Sequence, residues 1–326
     1  LCGMFTLTIK SHLAHIDEFI SGRLETMKKS VSFYSEGIKL DGDIYVPEDI
    51  GPGERRGGIV LCHGYTGVKD LYLPDNARAL NEAGYVVLAF DYKGWGKSEG
   101  ARTRLAPYSR VADVQAAITF LQIQEQVDPD KIGIYGTSYG CATVVFVAAV
   151  DERVKCVVGV VGMGHGARWM RSVRRPDEYA DLLVRSREDR EQRVISGISN
   201  MAARDEILLP DRQSAELASA ARANNPNALS ELPLEYIDET LQFHPEWVVN
   251  QISPRPLLLI AGGDDRLVPP EECQSLFDKA GEPKKMTILP NVGHYEVYVP
   301  PAFDMVMTET VAWFAQYVPA RDRRSQ

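Results

Sequence analysis

A serine with a glycine two positions away on either side is the first place in this chain where chemistry is legible. Gly136-Thr137-Ser138-Tyr139-Gly140 follows a strand-like run, Lys131 to Tyr135, and opens a helical one, Tyr139 to Val150. That setting is what a nucleophile elbow requires. The turn is so tight that the serine must take strained backbone angles, and residues 136 and 140 come too close to their surroundings to carry side chains. The helix that follows points its N-terminus at the serine and favours negative charge there.

A serine hydroxyl is a weak nucleophile at neutral pH and needs a base. The chain has six histidines: His12, His15, His63, His165, His244 and His294. Behind an elbow of this type the chain order runs serine, acid, histidine. His12, His15 and His63 precede the serine, and His165 and His244 lie upstream of the obvious acid. His294 follows the last strand-like run, in Pro290-Asn291-Val292-Gly293-His294, and is the candidate base by elimination and position. The acid that orients it is expected at the end of the run Pro256 to Ala261, where Asp264 and Asp265 stand side by side. Either fits the role. Asp265 is favoured, because an acid followed by two residues and then Val-Pro matches the usual pattern at such a strand end. Asp91 also ends a strand-like run but precedes the serine, and reads as a structural loop acid.

Acyl transfer builds charge on a carbonyl oxygen, which preorganised N–H groups stabilise. One donor is expected at Tyr139, just after the serine. The other is expected from the loop His63-Gly64-Tyr65-Thr66-Gly67, with the Tyr65 N–H as the choice and His63 bracing the loop. Candidate pocket residues are Trp95, His165, Arg168 and Trp169, with Tyr92 a further wall. Arg168, Arg171, Arg174 and Arg175 cluster around Trp169 and suggest either an anion pocket or a solvated helix balanced by Asp177, Glu178 and Asp181.

The elements that must position these groups alternate. Val31 to Glu36 and Lys39 to Val46 read as a hairpin turning at Gly37. Strands are then expected at Gly57 to Cys62, Tyr85 to Phe90, Lys131 to Tyr135, Val154 to Val161, Pro256 to Ala261 and Lys285 to Leu289. Helices between them are expected at Leu71 to Ala83, Val111 to Gln124, Tyr139 to Val150, Pro270 to Ala280 and Ala302 to Tyr317. Continuous apolar strands alternating with helices predict an α/β fold with a mostly parallel, doubly wound sheet. From 165 to 250 the alternation lapses into charge-rich sequence that reads as helical only, an inserted cap. Residues 29–164 and 251–326 form the expected core. Residues 1–28 read as an N-terminal amphipathic helix, with apolar Leu13, Ile16, Phe19, Ile20 and Leu24, for packing or dimerisation, or as a translated extension ahead of Met4 or Met27.

Composition narrows the partners. The chain has 326 residues and a net charge of −9, which repels phosphate backbones and argues against nucleic acid. No apolar run approaches a membrane span. Five cysteines without a C-x-x-C pair suit a reducing cytoplasm and give neither a disulfide framework nor a metal knuckle.

Taken together, the His63-Gly64 loop, Asp91-Tyr92-Lys93-Gly94-Trp95-Gly96-Lys97-Ser98, the elbow, Gly262-Gly263-Asp264-Asp265-Arg266-Leu267-Val268-Pro269 and Gly293-His294 resemble the α/β-hydrolase superfamily over about residues 31 to 319. The segment from Ala280 to Tyr298 is similar to dienelactone-hydrolase-like esterases and their relatives in polyketide biosynthesis. Dienelactone hydrolases proper use a cysteine where this chain has Ser138, which points to ordinary ester hydrolysis. The resemblance implies no metal and no organic cofactor. The expected activity is a serine hydrolase of the carboxylesterase type, cleaving a small or medium ester through an acyl-enzyme. Amidase, C–C hydrolase and acyltransferase chemistry would use the same triad, and a non-catalytic receptor is the alternative outside enzymes.

Overall fold

The computed structural model describes residues 28–102, 106–223, 225 and 229–321. The helix expected within 1–28 therefore lies almost wholly outside the described residues, as do His12, His15 and Cys2. Among the described residues the strands are β1 Lys28–Ser35, β2 Ile38–Tyr45, β3 Arg56–Cys62, β4 Val86–Phe90, β5 Val127–Thr137, β6 Val154–Val160, β7 Met201–Ala203, β8 Glu231–Pro233, β9 Leu257–Gly262 and β10 Lys284–Leu289. Eight of these form one sheet in the order β1-β2-β4-β3-β5-β6-β9-β10. Pairing is parallel from β4 across to β10 and antiparallel at β1–β2 and β2–β4.

The strand sequences explain their places. β3, β4 and β9 are buried at every position, as central strands covered by helices on both faces must be. β1 instead alternates, turning Phe33 inward and Tyr34 outward, which suits an edge. It returns into β2 through Glu36 and Gly37, both at positive φ (49° and 79°), the geometry of a two-residue hairpin turn. Two apolar layers sandwich the sheet. One holds Leu73, Ala77 and Leu80 of helix Leu73–Glu82 with Val306 and Phe314 of helix Ala302–Tyr317. The other holds Val114 and Ile118 of helix Pro107–Gln122, Val144 and Val147 of helix Tyr139–Val150 and Leu276 of helix Pro270–Lys279.

Strand order reverses at β3, which has β4 on one side and β5 on the other. In an open parallel sheet the loops at such a switch point part and leave a crevice beyond the carboxyl ends of the strands. The loop after β3 carries His63 to Gly67, and the turn after β5 carries Ser138.

Between β6 and β9 lie helices Gly166–Ser172, Pro176–Ser196, Arg204–Leu208, Arg212–Ala223 and Glu235–Leu241. This stretch is not helical throughout, as the sequence reading had it. β7 and β8 pair antiparallel within it, Ala202 opposite Leu232. Three residues per strand are too few for a period of two to register in the sequence. No helix among the described residues is long and apolar enough to cross a membrane.

Candidate active site

Ser138 sits at φ 56°, ψ −124°, between β5 and helix Tyr139–Val150. Its N–H donates to Val160 O at 2.8 Å, fixing the turn to β6. A Cβ on Gly136 would stand 2.3 Å from Gly140 O, and one on Gly140 would stand 2.2 Å from Cys62 O. Both contacts are with backbone and cannot relax, so only glycine fits at either position.

The imidazole of His294 meets the serine. Its Nε2 is 3.0 Å from Ser138 Oγ, and its Nδ1 is 2.7 Å from Asp265 Oδ2. Asp265 Oδ1 accepts the N–H groups of Leu267 (3.0 Å) and Val268 (2.7 Å), so the carboxylate is held from both ends. Asp265 and His294 are buried. The neighbouring Asp264 is exposed. Its N–H donates to Val292 O at 3.0 Å, tying the β9 loop to the loop that carries His294.

The loop after β3 passes directly beside the serine: a Cβ on Gly64 would lie 3.1 Å from Ser138 Cβ. Arg110, from helix Pro107–Gln122, fixes this loop from below. Its guanidinium donates to Gly64 O (3.2 Å) and Tyr65 O (3.1 Å) and lies 4.4 Å over the Tyr92 ring. With both carbonyls turned toward Arg110, the loop's amides are set in orientation. Tyr65 is further anchored by its hydroxyl, 3.0 Å from Thr240 Oγ1. His63 is buried against Tyr92, with Nδ1 3.1 Å from Gly64 O. Burial, reinforced by the Arg110 charge, holds its pKa well below the usual histidine value, so it stays neutral. Asp91 receives the N–H groups of Lys69 (2.7 Å) and Lys97 (3.0 Å), joining the loops after β3 and β4. Burial pushes its carboxyl up to about 6 despite those bonds.

A family model described as serine aminopeptidase, S33 (Hydrolase_4) matches residues 53–297. The chain belongs to this family of α/β-hydrolases. It is similar to an uncharacterized 31.7 kDa protein in the traX-finO intergenic region of Escherichia coli, 30% identical over 285 residues, 87% of this chain and 97% of that one. It is also similar to thiohydrolase aneE of Aspergillus aculeatus, 26% identical over 295 residues, 85% of this chain and 89% of that one. Among solved structures, hypothetical protein PA2218 from Pseudomonas aeruginosa superposes with a TM-score of 0.77 at 24% identity, over 89% of this chain and 93% of that one, a likeness of fold.

In this α/β-hydrolase a cavity of about 50 Å³ opens above Ser138 and His294. Its walls include Thr66, Tyr72, Trp169, Arg204, Arg222 and Tyr295. Of the four pocket residues expected from sequence, only Trp169 reaches it, with its Nε1–H on Leu267 O at 2.7 Å. Trp95 is buried beneath the loops, 5.3 Å from the Arg110 guanidinium. Arg168 turns away, binding Glu272 (2.7 Å) and Glu246 (2.7 Å). His165 caps the helix that carries Arg168 and stacks on His244, 3.7 Å between ring centroids. Of the two readings open for this arginine cluster, an anion pocket or a solvated helix, Arg168 takes neither: core-side carboxylates neutralise it.

Sequence reasoning missed Arg110, Arg204 and Arg222. A signal for Arg110 existed: it falls on the buried stripe with Val114, Ala117 and Leu121, where a charge must serve something inside. Arg204 links the two loops flanking the serine, donating from Nε to Thr66 Oγ1 (2.8 Å) and from its terminal nitrogen to Tyr295 Oη (3.0 Å). Among the described residues no cluster of His, Cys, Asp and Glu is arranged to hold a metal.

Proposed function

We propose that the protein is a serine hydrolase that cleaves a small or medium carboxylic ester through an acyl-enzyme. The observation that carries this reading is the continuous hydrogen-bonded chain from Ser138 Oγ through the imidazole of His294 to Asp265. Ser138 Oγ attacks the ester carbonyl while His294 Nε2 takes its proton. Asp265 holds the imidazole in the tautomer with its proton on Nδ1 and stabilises the cation that forms. The N–H groups of Tyr139 and Tyr65 receive the oxyanion. His294 then protonates the departing alcohol, and a water, activated by the same imidazole, releases the acid. The segment 165–250 acts as a cap whose inward residues close the cavity over the serine.

Cleavage of a free peptide N-terminus, which the family's description would suggest, is less well supported. An ammonium group would enter a cavity lined, among the described residues, by two arginines and no carboxylate. A thioester in place of the oxyester is the second reading, favoured by the likeness to a thiohydrolase; it uses the same steps with a thiol leaving group. Buried, free Cys62, Cys141, Cys156 and Cys273 suit a reducing compartment, and the cytoplasm is the proposed location.

The test is a fluorophosphonate label together with a panel of p-nitrophenyl esters, anilides and N-acetylcysteamine thioesters of graded acyl length. The expected outcome is labelling at Ser138 alone, and a Ser138→Ala loss in kcat on the order of 10⁴ or more. Labelling elsewhere, or anilides cleaved while esters stay intact, overturns the reading.

A further inference from the structure

The two arginines in the cavity differ in what they have left to bind. Arg204 is fully engaged, by Thr66, Tyr295 and an ion pair with Asp205 at 2.7 Å. Arg222, on helix Arg212–Ala223, lines the same cavity, half-buried. Among the described residues no carboxylate pairs with its guanidinium, and the Asp205 carboxylate, whose charge reaches it, is bound to Arg204. Burial and the nearby Arg204 charge hold its pKa below the usual arginine value, as expected of a cation that lacks a counter-ion. The same lining holds Tyr72, which acts electrostatically on Arg222 and whose ring stacks on Tyr298 with centroids 4.2 Å apart. Tyr72 has φ 68°, a conformation that strains a bulky residue and recurs at ligand clamps. Among the described residues the lining contains no aspartate or glutamate, in a chain of net charge −9.

We propose that this wall receives a carboxylate on the acyl half of the substrate, so that the preferred substrate is a half-ester of a short dicarboxylic acid. The inference rests on the esterase reading above and names its substrate class. The esterified end is presented to Ser138 while the ionised end pairs with Arg222, with Arg204 adding charge behind it. A guanidinium suits a carboxylate because its parallel N–H groups match the two oxygens. In the reaction the acyl C–O bond breaks, and water supplies hydroxyl to the acyl carbon and a proton to the alcohol. The new carboxyl then ionises, releasing one proton, and the product is a dicarboxylate.

The test compares p-nitrophenyl hemiglutarate with p-nitrophenyl valerate, which carries a methyl in place of the carboxylate. The ratio of their kcat/KM values, taken on one preparation, cancels losses from poor folding. The wild-type protein is expected to favour the hemiglutarate by on the order of tenfold or more, and Arg222→Gln to lose that preference. Preference for the valerate, or an unchanged ratio in Arg222→Gln, overturns the proposal. Calorimetric binding of glutarate to Ser138→Ala separates the two readings, since it needs no turnover. Binding that disappears in Ser138→Ala/Arg222→Gln supports the anion receptor even if neither ester is cleaved. No binding counts against it even where Ser138 is labelled and esters are hydrolysed.

Discussion

Asp265 spends one carboxylate oxygen on two backbone amides and the other on His294 Nδ1. An asparagine there can still accept from the amides, but its NH₂ would face the imidazole. The ring would then flip its proton to Nε2, leaving no acceptor for Ser138. Asp265→Asn should therefore lower kcat by on the order of 10³–10⁴ with little change in KM. Asp264 is exposed, and its contact to the neighbouring loop is made by backbone, so Asp264→Asn should leave kcat within a few-fold. Steady-state kinetics on both variants checks this, and a large loss confined to Asp264→Asn would reassign the acid. At this scale the sequence was informative where covalent spacing dictates function. Two glycines around a serine betray an elbow because no other residue fits 2.2–2.3 Å from backbone oxygens. The choice between adjacent aspartates was open because both leave the same strand end, and only the turn Asp265-Arg266-Leu267-Val268 decides which side chain folds inward.

Two elements are held by charged groups that reach across the chain. The loop beside the serine owes its shape to Arg110, which takes up both of its carbonyls. Arg110→Met keeps the stem of the side chain but frees those carbonyls, so the Tyr65 amide, the proposed oxyanion donor, would lose its orientation. The expected signature is a fall in kcat on the order of 10²–10³ with KM little changed, while fluorophosphonate still labels Ser138. The second element, helix Gly166–Ser172, is latched to the core by Arg168 on Glu272 and Glu246, with Glu272 also accepting the N–H groups of Gly164 and His165, each at 3.0 Å. Burial alone would raise the Glu246 carboxyl, but Arg168, Ser275 and Lys279 hold it down to about 2, from 4.5. A depressed carboxylate stabilises the fold fully above its unfolded value and loses that contribution as pH falls through its folded value. Glu246→Gln should therefore be less stable than wild type at pH 6, with the gap closing from pH 4.5 toward 2. Urea midpoints measured across that range check it. Arg168 was misplaced by sequence reasoning because its partners lie 78 and 104 residues away, and nothing local separates an arginine facing a ligand from one facing a carboxylate.

For the whole molecule, the hydrophobic pattern fixed most of the architecture in advance. Apolar runs such as those of β3, β4 and β9 read as central strands because they are short and bounded by turn residues, and the lapse in the pattern falls on the stretch that separates β6 from its sheet neighbour β9. The cavity's chemistry was hidden because it comes from that insertion. There, arginines recur every few residues on exposed helices, and periodicity does not say which of them turns inward. The same layout has a consequence in time. Ser138 and His294 are 156 positions apart, and Asp265 is 29 positions from His294. At about 5–20 residues per second, synthesis of that interval takes roughly 8–30 s. Through all of it the elbow lacks the imidazole proposed to take its proton. Nor can β9 add to β6 until the whole insertion has been made. On the proposed mechanism a growing chain therefore carries an inert serine past every acyl donor it meets, and the hydroxyl becomes reactive only when the last loops close over the finished sheet.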